Sequence, residues 1–305
     1  MAELEPSAAG SSGSWSPSTP DGELLAAARA GDGRALECLL ERHQAEVYRF
    51  GMKMCRNPAD AEDVVQDTLL AMARGVRDFR GASSLSTWLY TIARSHCIKK
   101  RRRGKLAPEA VQDTRADRTP DDEGRRLAHP GRGPDEALAG KQLTTALEQA
   151  VAALEPMYRE VLLLRDAEGL TANEVAEVLG VTPQAVKSRL HRARLAVRAR
   201  IAPLLGIGSD LAAAPGTCPD VLSMLSRYLE GEIGNEQCAE MERHLEGCPR
   251  CRGACASLKQ TLALCRNGGA AADVPAAVRA RVKTALRAFL ADGDGARAGA
   301  TSTGG

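Results

Sequence analysis

Apolar residues recur at helical spacing in segment after segment of this chain. The clearest case is 171–200, TANEVAEVLGVTPQAVKSRLHRARLAVRAR. Thr171 followed by Glu174 predicts a capping box, in which each side chain satisfies a backbone N–H left free at a helix start. Val175, Ala176 and Leu179 supply a short apolar face. Gly180 stands where a helix C-terminus favours a residue tolerant of positive φ. Thr182 is placed to cap a second helix, and Pro183 suits its first turn. In that helix Val186, Leu190, Ala193 and Val197 form a stripe. The opposite face carries Lys187, Arg189, His191, Arg192, Arg194, Arg198 and Arg200 without an acid among them. Two short helices, a tight turn and a basic second helix predict a helix-turn-helix. A plain helical hairpin with a solvated basic face is the competing reading, and cap, glycine, proline and charge all argue against it.

The same periodicity predicts helices at Leu24–Ala30, closed by Gly31-Asp32-Gly33, and at Ala35–Met54, with Leu36, Leu39, Leu40, Val47 and Phe50 inward. Asn57-Pro58 breaks the pattern. A helix at Asp60–Arg74 buries Ala61, Val64, Val65, Thr68, Leu69 and Met72. Its first turns carry Asp60, Glu62, Asp63 and Asp67, more acid than the helix dipole alone calls for. After a loop at 79–84, Leu85–Lys100 forms a helix that runs into Lys99-Lys100-Arg101-Arg102-Arg103. Phe79, Trp88 and Tyr90 lie just upstream, and basic charge beside aromatics suits a single-stranded nucleic acid, whose unpaired bases stack. Leu143, Ala146, Leu147, Val151 and Leu154 give a further helix, and Pro156 starts another.

Composition adds little until charge and cysteine are located. Two Trp, four Tyr and three Phe in 305 residues leave the cores to Leu, Val and Ala, which favours an all-α fold. The net charge of +2 hides separate basic runs and one acidic cluster, which points to distinct binding faces. No apolar run approaches ~18 residues, so no membrane span is expected. The first twenty residues lack the pattern of a secretory signal, and the expected location is cytoplasmic. There thiols stay reduced, so nine cysteines, six of them in the last third, point first to metal.

The stretches D-A-E-D-V-V-Q-D-T at 60–68, F-R-G at 79–81 and S-T-W-L-Y-T-I-A-R at 86–94 resemble region 2 of bacterial sigma factors of the extracytoplasmic-function type. L-E-P-M-Y-R-E-V-L-L-L-R at 154–165 and V-K-S-R-L-H-R-A-R at 186–194 resemble region 4 of the same family. The resemblance implies a non-enzymatic factor that brings core RNA polymerase to promoter DNA. It implies that Asp60, Glu62, Asp63, Gln66 and Asp67 lie on the polymerase-binding helix. It implies that Ser95, His96 and Lys99 face the melted −10 element, and that Lys187, Ser188, Arg189, His191 and Arg192 face the −35 duplex. An operator-binding regulator that never enters the polymerase is the rival; the acidic helix and the 79–94 stretch argue against it.

The expected organisation is a disordered 1–21, region 2 at 22–104, a linker at 105–140, region 4 at 141–202 and a second linker at 203–217. A metal-binding domain at 218–291 and a flexible tail at 292–305 follow. Trp15 reads as a stray or as a small docking anchor. His244, Cys248 and Cys251 have the spacing His-x3-Cys-x2-Cys, and Cys218 begins the preceding helix. Together they offer a tetrahedral set for Zn²⁺ or another thiophilic metal. So short a segment with few large apolar groups benefits from a metal staple. The pattern resembles the zinc-binding anti-sigma domain, which implies an intramolecular contact with the sigma-like parts. Three readings stand: a structural zinc, a regulatory domain answering to metal or oxidation, and a catalytic zinc of the deaminase kind. The last is disfavoured because its His-x-Glu and paired cysteines belong on separate helices. Cys238, Cys255 and Cys265 lean toward sensing.

Overall fold

The computed structural model describes residues 15–55, 57–106, 134–205, 218–267 and 274–300. Residues 1–14 of the stretch 1–21 expected to be disordered, most of the 105–140 linker, 206–217 and 301–305 lie outside the described residues. Every regular element among the described residues is helical, as expected for an all-α chain. No described helix is long and apolar enough to cross a membrane.

Four helices form the first unit: α1 (Asp21–Ala30), α2 (Gly33–Cys55), α3 (Pro58–Gly75) and α4 (Leu85–Leu106). Asn57 caps α3 by accepting from the Ala59 N–H at 2.9 Å, and Pro58 opens its first turn. Leu39, Phe50, Val64, Leu69, Leu89 and Tyr90 meet in the core, with Phe50 edge-on to Tyr90 at 5.3 Å. Trp15 is an anchor rather than a stray: its Nε1 donates to Asp32 at 3.0 Å and its ring packs on this core.

The second unit comprises α5 (Pro134–Ala152), α6 (Pro156–Leu162), α7 (Ala172–Leu179) and α8 (Pro183–Ile201). Helix α5 starts inside the stretch expected to be linker. Arg159 donates to the carbonyls of Val151, Ala152 and Leu154, capping the end of α5. A π-helical turn at Leu163–Ala167, unforeseen from the sequence, follows α6 directly. The two units are not separate. Tyr90 Oη donates to Glu168 at 2.8 Å, Arg94 pairs with Glu160 at 2.9 Å, and Ser84 Oγ donates to Glu174 at 2.8 Å. Their buried side chains form one continuous core.

A third unit holds α9 (Val221–Leu229), α10 (Asn235–Gly247) and α11 (Pro249–Asn267) around a small core of its own, built from Val221, Leu225, Met241, Leu258 and Leu262. Helix α11 extends out of that core, and its Cys265 is buried in the main one. The last helix, α12 (Ala276–Ala300), leaves the third unit altogether. It packs on α2 and α3, burying Val278, Val282 and Leu286 against the first unit. Its backbone continues through the stretch from 292 to 300 that was expected as a flexible tail.

Candidate functional site

The helix-turn-helix forms by the local signals described above. Thr171 Oγ1 accepts from the Glu174 N–H at 3.2 Å, and Glu174 Oε2 accepts from the Thr171 N–H at 2.9 Å. Gly180 ends α7 at φ 66°, in the left-handed region that glycine adopts without strain. Thr182 accepts from the Ala185 N–H at 3.2 Å to start α8. Val186, Leu190, Ala193, Val197 and Ile201 then face inward. Of the residues expected on the duplex-facing side, Ser188 and Arg192 are exposed, and Lys187, Arg189 and His191 are half-buried. Arg192 Nη1 donates to Tyr158 Oη at 3.3 Å. Lys187 pairs with Glu232 of the third unit at 3.1 Å.

Arg194 and Arg198 do not belong to the exposed basic face. Arg194 is only 2% exposed, held by Asp166 through Nε at 2.9 Å and Nη2 at 2.6 Å, and by Glu230 at 2.8 Å. The π turn carries Asp166 into this position. Arg165 closes the network on the other oxygen of Glu230 at 3.0 Å. Burial alone would depress the Arg194 guanidinium, but the Asp166 and Glu230 carboxylates outweigh it and hold its pKa above the usual arginine value. A buried charge is tolerated only when so partnered. Arg198 is buried too, yet its Nε and Nη2 have no hydrogen-bond partner, and desolvation lowers its pKa.

On the first unit, Ser95 and Lys99 are exposed on α4, while His96 turns toward Asp67 at 3.5 Å. Lys100 pairs with Asp63. The acids of α3 and Gln66 line one side of that helix: Asp63 and Asp67 are exposed, and Asp60, Glu62 and Gln66 are half-buried. Glu62 pairs with Arg281 of α12. Phe79 stacks on Trp88 with centroids 4.7 Å apart, and both rings stay partly accessible. Tyr90 is not part of that aromatic surface. It is 2% exposed and committed to Phe50 and Glu168, because position 90 points into the core shared with the second unit. Burial and the Glu168 charge raise the pKa of its hydroxyl.

In the third unit, Cys218, His244, Cys248 and Cys251 bring one ligand atom each to within 4.8 Å of one another. Around a tetrahedral ion with metal–sulfur bonds of ~2.3 Å, ligand atoms sit about 3.5–3.8 Å apart, so only a small contraction is required. His244 Nε2 is buried without a hydrogen-bond partner, a cost that coordination removes. The backbone N–H of Cys251, then the Cys251 and Cys218 thiols, lower the pKa of Cys248 toward the thiolate a metal takes. The donor set therefore fits a metal. Cys255 shares the small core with the set without belonging to it, Cys265 is buried in the main core, and Cys238 is half-buried on α10.

Sequence reading missed the acids of the third unit that reach α8, and the landing of α12 on α3. The only local signals were Glu230-Gly231-Glu232 after an amphipathic helix, and the basic residues Arg279, Arg281 and Lys283 on another.

Comparison with known proteins matches the same three stretches of sequence. The sigma-70 region 2 profile matches residues 39–106, the sigma-70 region 4 profile matches 144–197, and a zinc-finger profile matches 218–252. The ECF RNA polymerase sigma factor SigM of Mycobacterium tuberculosis is 34% identical over 189 residues, spanning 61% of this chain and 85% of that protein. The RNA polymerase sigma-H factor of Pseudomonas aeruginosa is 29% identical over 189 residues, covering 61% and 95%. Among solved structures, CnrH in complex with the cytosolic domain of CnrY aligns at 24% identity over 62% of this chain and 99% of that one, with a TM-score of 0.42. With regions 2 and 4 matched in order and the helix-turn-helix formed, the chain belongs to the ECF sigma factors, which direct RNA polymerase to promoters, and it carries a zinc-finger unit beyond region 4.

Proposed function

We propose that this sigma factor restrains itself: the third unit and α12 hold regions 2 and 4 in a closed form that neither polymerase nor promoter can engage. The observation that carries the reading is the double contact of the C-terminal part. Glu62, on the helix assigned to polymerase by resemblance, is paired with Arg281 of α12, while Lys187 of the −35-facing helix is paired with Glu232. The C-terminal part thus engages both business ends, through α12 at one and the third unit at the other, with charges that mimic their expected partners.

Distance supports the same reading. Promoter elements named −35 and −10 lie about 25 base pairs apart, or roughly 85 Å at ~3.4 Å per pair. Ser84, beside the loop assigned to melted DNA, and Glu174, on the first helix of the helix-turn-helix, are 2.8 Å apart. The closed form must open before both elements are contacted at once. In the open form, Lys187, Ser188, Arg189, His191 and Arg192 would face the −35 duplex. Ser95, His96 and Lys99, with the accessible Phe79–Trp88 pair, would face unpaired −10 bases. Asp60, Glu62, Asp63, Gln66 and Asp67 would meet the polymerase.

Zinc is the metal this Cys3His set favours, since thiolates with imidazole in four-coordinate geometry select it. Bound there by Cys218, His244, Cys248 and Cys251, it would supply folding energy to a unit whose own core is small. Metal loss or thiol oxidation would then loosen the third unit and release the sigma regions. The test is run-off transcription with core RNA polymerase, comparing the full chain with a chain cut after Leu205, with and without a chelator. The proposal expects an active short chain, and a full chain that becomes active on chelation. Equal activity of both chains would make the metal purely structural.

A further inference from the structure

A second thiol chemistry lies inside region 2, away from the metal-ligating set. Cys55 is the last residue of α2, and Cys97 sits in the middle of α4. Their sulfurs are hydrogen-bonded at 3.3 Å. Cys55 is half-buried, while Cys97 is 3% exposed. We propose that Cys55 and Cys97 are a reversible thiol–disulfide site, closed by a two-electron oxidant such as hydrogen peroxide, with Cys55 attacking and Cys97 resolving.

The geometry assigns the roles. A disulfide needs its sulfurs at about 2.05 Å, so the pair must close by little more than 1 Å, within the reach of side-chain rotation. The helices that carry them are held in register by the core, with the Phe50–Tyr90 contact between the same two elements. The two thiols are therefore presented to each other before any oxidant arrives. The hydrogen bond shared with Cys97, helped by the nearby charges of Lys100 and Arg101, lowers the pKa of Cys55; the same pairing and burial raise that of Cys97. Reactivity follows the thiolate and its access, and both favour Cys55.

The step balances without a cofactor. The Cys55 thiolate attacks one peroxide oxygen; the O–O bond breaks, Cys55 becomes a sulfenic acid, and hydroxide leaves and is protonated to water. The Cys97 sulfur then attacks the Cys55 sulfur. The S–S bond forms, the S–O bond breaks, and the departing hydroxide takes the Cys97 proton as a second water. Two thiols lose two electrons and one peroxide gains them. The product ties the end of α2 to the stretch of α4 that bears His96, Lys99 and Lys100, one turn from the start of α3.

The test uses the full, zinc-loaded chain. It is treated with hydrogen peroxide up to one equivalent, quenched with N-ethylmaleimide, digested and read by mass spectrometry. The expected result is a peptide pair joined through Cys55 and Cys97, lighter by two hydrogens and separated again by dithiothreitol, with the two thiols lost one for one. In Cys97→Ser, Cys55 should instead be trapped by dimedone as the sulfenic acid. Should that buried substitution unfold the chain, Cys55→Ser gives the reciprocal reading: the cross-link vanishes and Cys97 is alkylated only after denaturation. Recovery of both cysteines alkylated while other thiols oxidise, or a Cys97 joined to any cysteine other than Cys55, would overturn the proposal. None of these readouts depends on polymerase or promoter binding.

Discussion

If α12 covers the polymerase-binding helix, weakening its grip should raise polymerase affinity without touching region 2 itself. The perturbation is the double substitution Val278→Ala/Leu286→Ala. Both side chains are almost fully buried against α2 and α3, at 1% and 3% exposure. At about 0.8 kcal/mol per buried methylene-sized group, removing two carbons from Val278 and three from Leu286 costs roughly 4 kcal/mol of docking. Since ~1.4 kcal/mol is a factor of ten, the docked-to-free ratio should fall by about 10³. The ion pairs of Arg281 with Glu62 and of Lys283 with Glu37 and Glu41 are solvent-exposed and secondary to this term. The assay is equilibrium binding of labelled chain to core RNA polymerase, with hydrogen exchange reporting whether α12 has come off. The gain in affinity is bounded by how strongly the closed form is favoured, so a rise of any size up to ~10³-fold fits. Unchanged polymerase affinity in a variant whose α12 amides have lost protection would refute the covering role.

Three further expectations follow from the same contacts. Cys248→Ser should lower bound metal, measured by atomic emission, and melt the α9–α11 core well before the sigma part; full metal occupancy would exclude Cys248 from the ligand set. Arg192→Ala, in a chain cut after Leu205, should cost about 1–3 kcal/mol on a cognate promoter if the guanidinium reads a base, but an equal loss on every sequence would reduce it to a phosphate contact. Buried His43 lies 2.8 Å from Glu46 and 3.0 Å from Asp21. Burial pulls its pKa down, but Glu46 and then Asp21 outweigh that and raise it. A raised folded pKa means that the protonated ring stabilises fully below its unfolded value of ~6.5, and that this stability is lost as pH climbs through the folded value. Thermal melts should therefore decline over that window in the parent chain and more shallowly in His43→Gln; parallel slopes would remove His43 from the account.

The helix-turn-helix was legible because its signals are local: Thr171, Glu174, Gly180, Thr182 and Pro183 each act within a few residues of themselves. The clustering of Cys218, His244, Cys248 and Cys251 was legible for the same reason, three of the four lying within eight positions. What escaped the sequence was long-range. Arg194 looks like any other cation on a basic helix until the π turn delivers Asp166 and the third unit delivers Glu230. Tyr90 looks available for stacking until Glu168 claims its hydroxyl. Arg281 and Glu62 are 219 positions apart, and no periodicity connects them. Helical pattern says which face is apolar, not which neighbour will cover the polar one.

Because region 4 and the metal-binding unit belong to one chain, joined through 206–217, their encounter is intramolecular. A tethered partner acts at an effective concentration on the order of millimolar, however scarce the protein is in the cell. Dilution cannot separate the two, and neither can be synthesised in excess of the other. A cell making more of this factor would also make more of its restraint, in fixed ratio, so expression level alone would change output little. Control would pass from stoichiometry to chemistry, and the response would be set by the metal affinity of four side chains rather than by the abundance of a second protein.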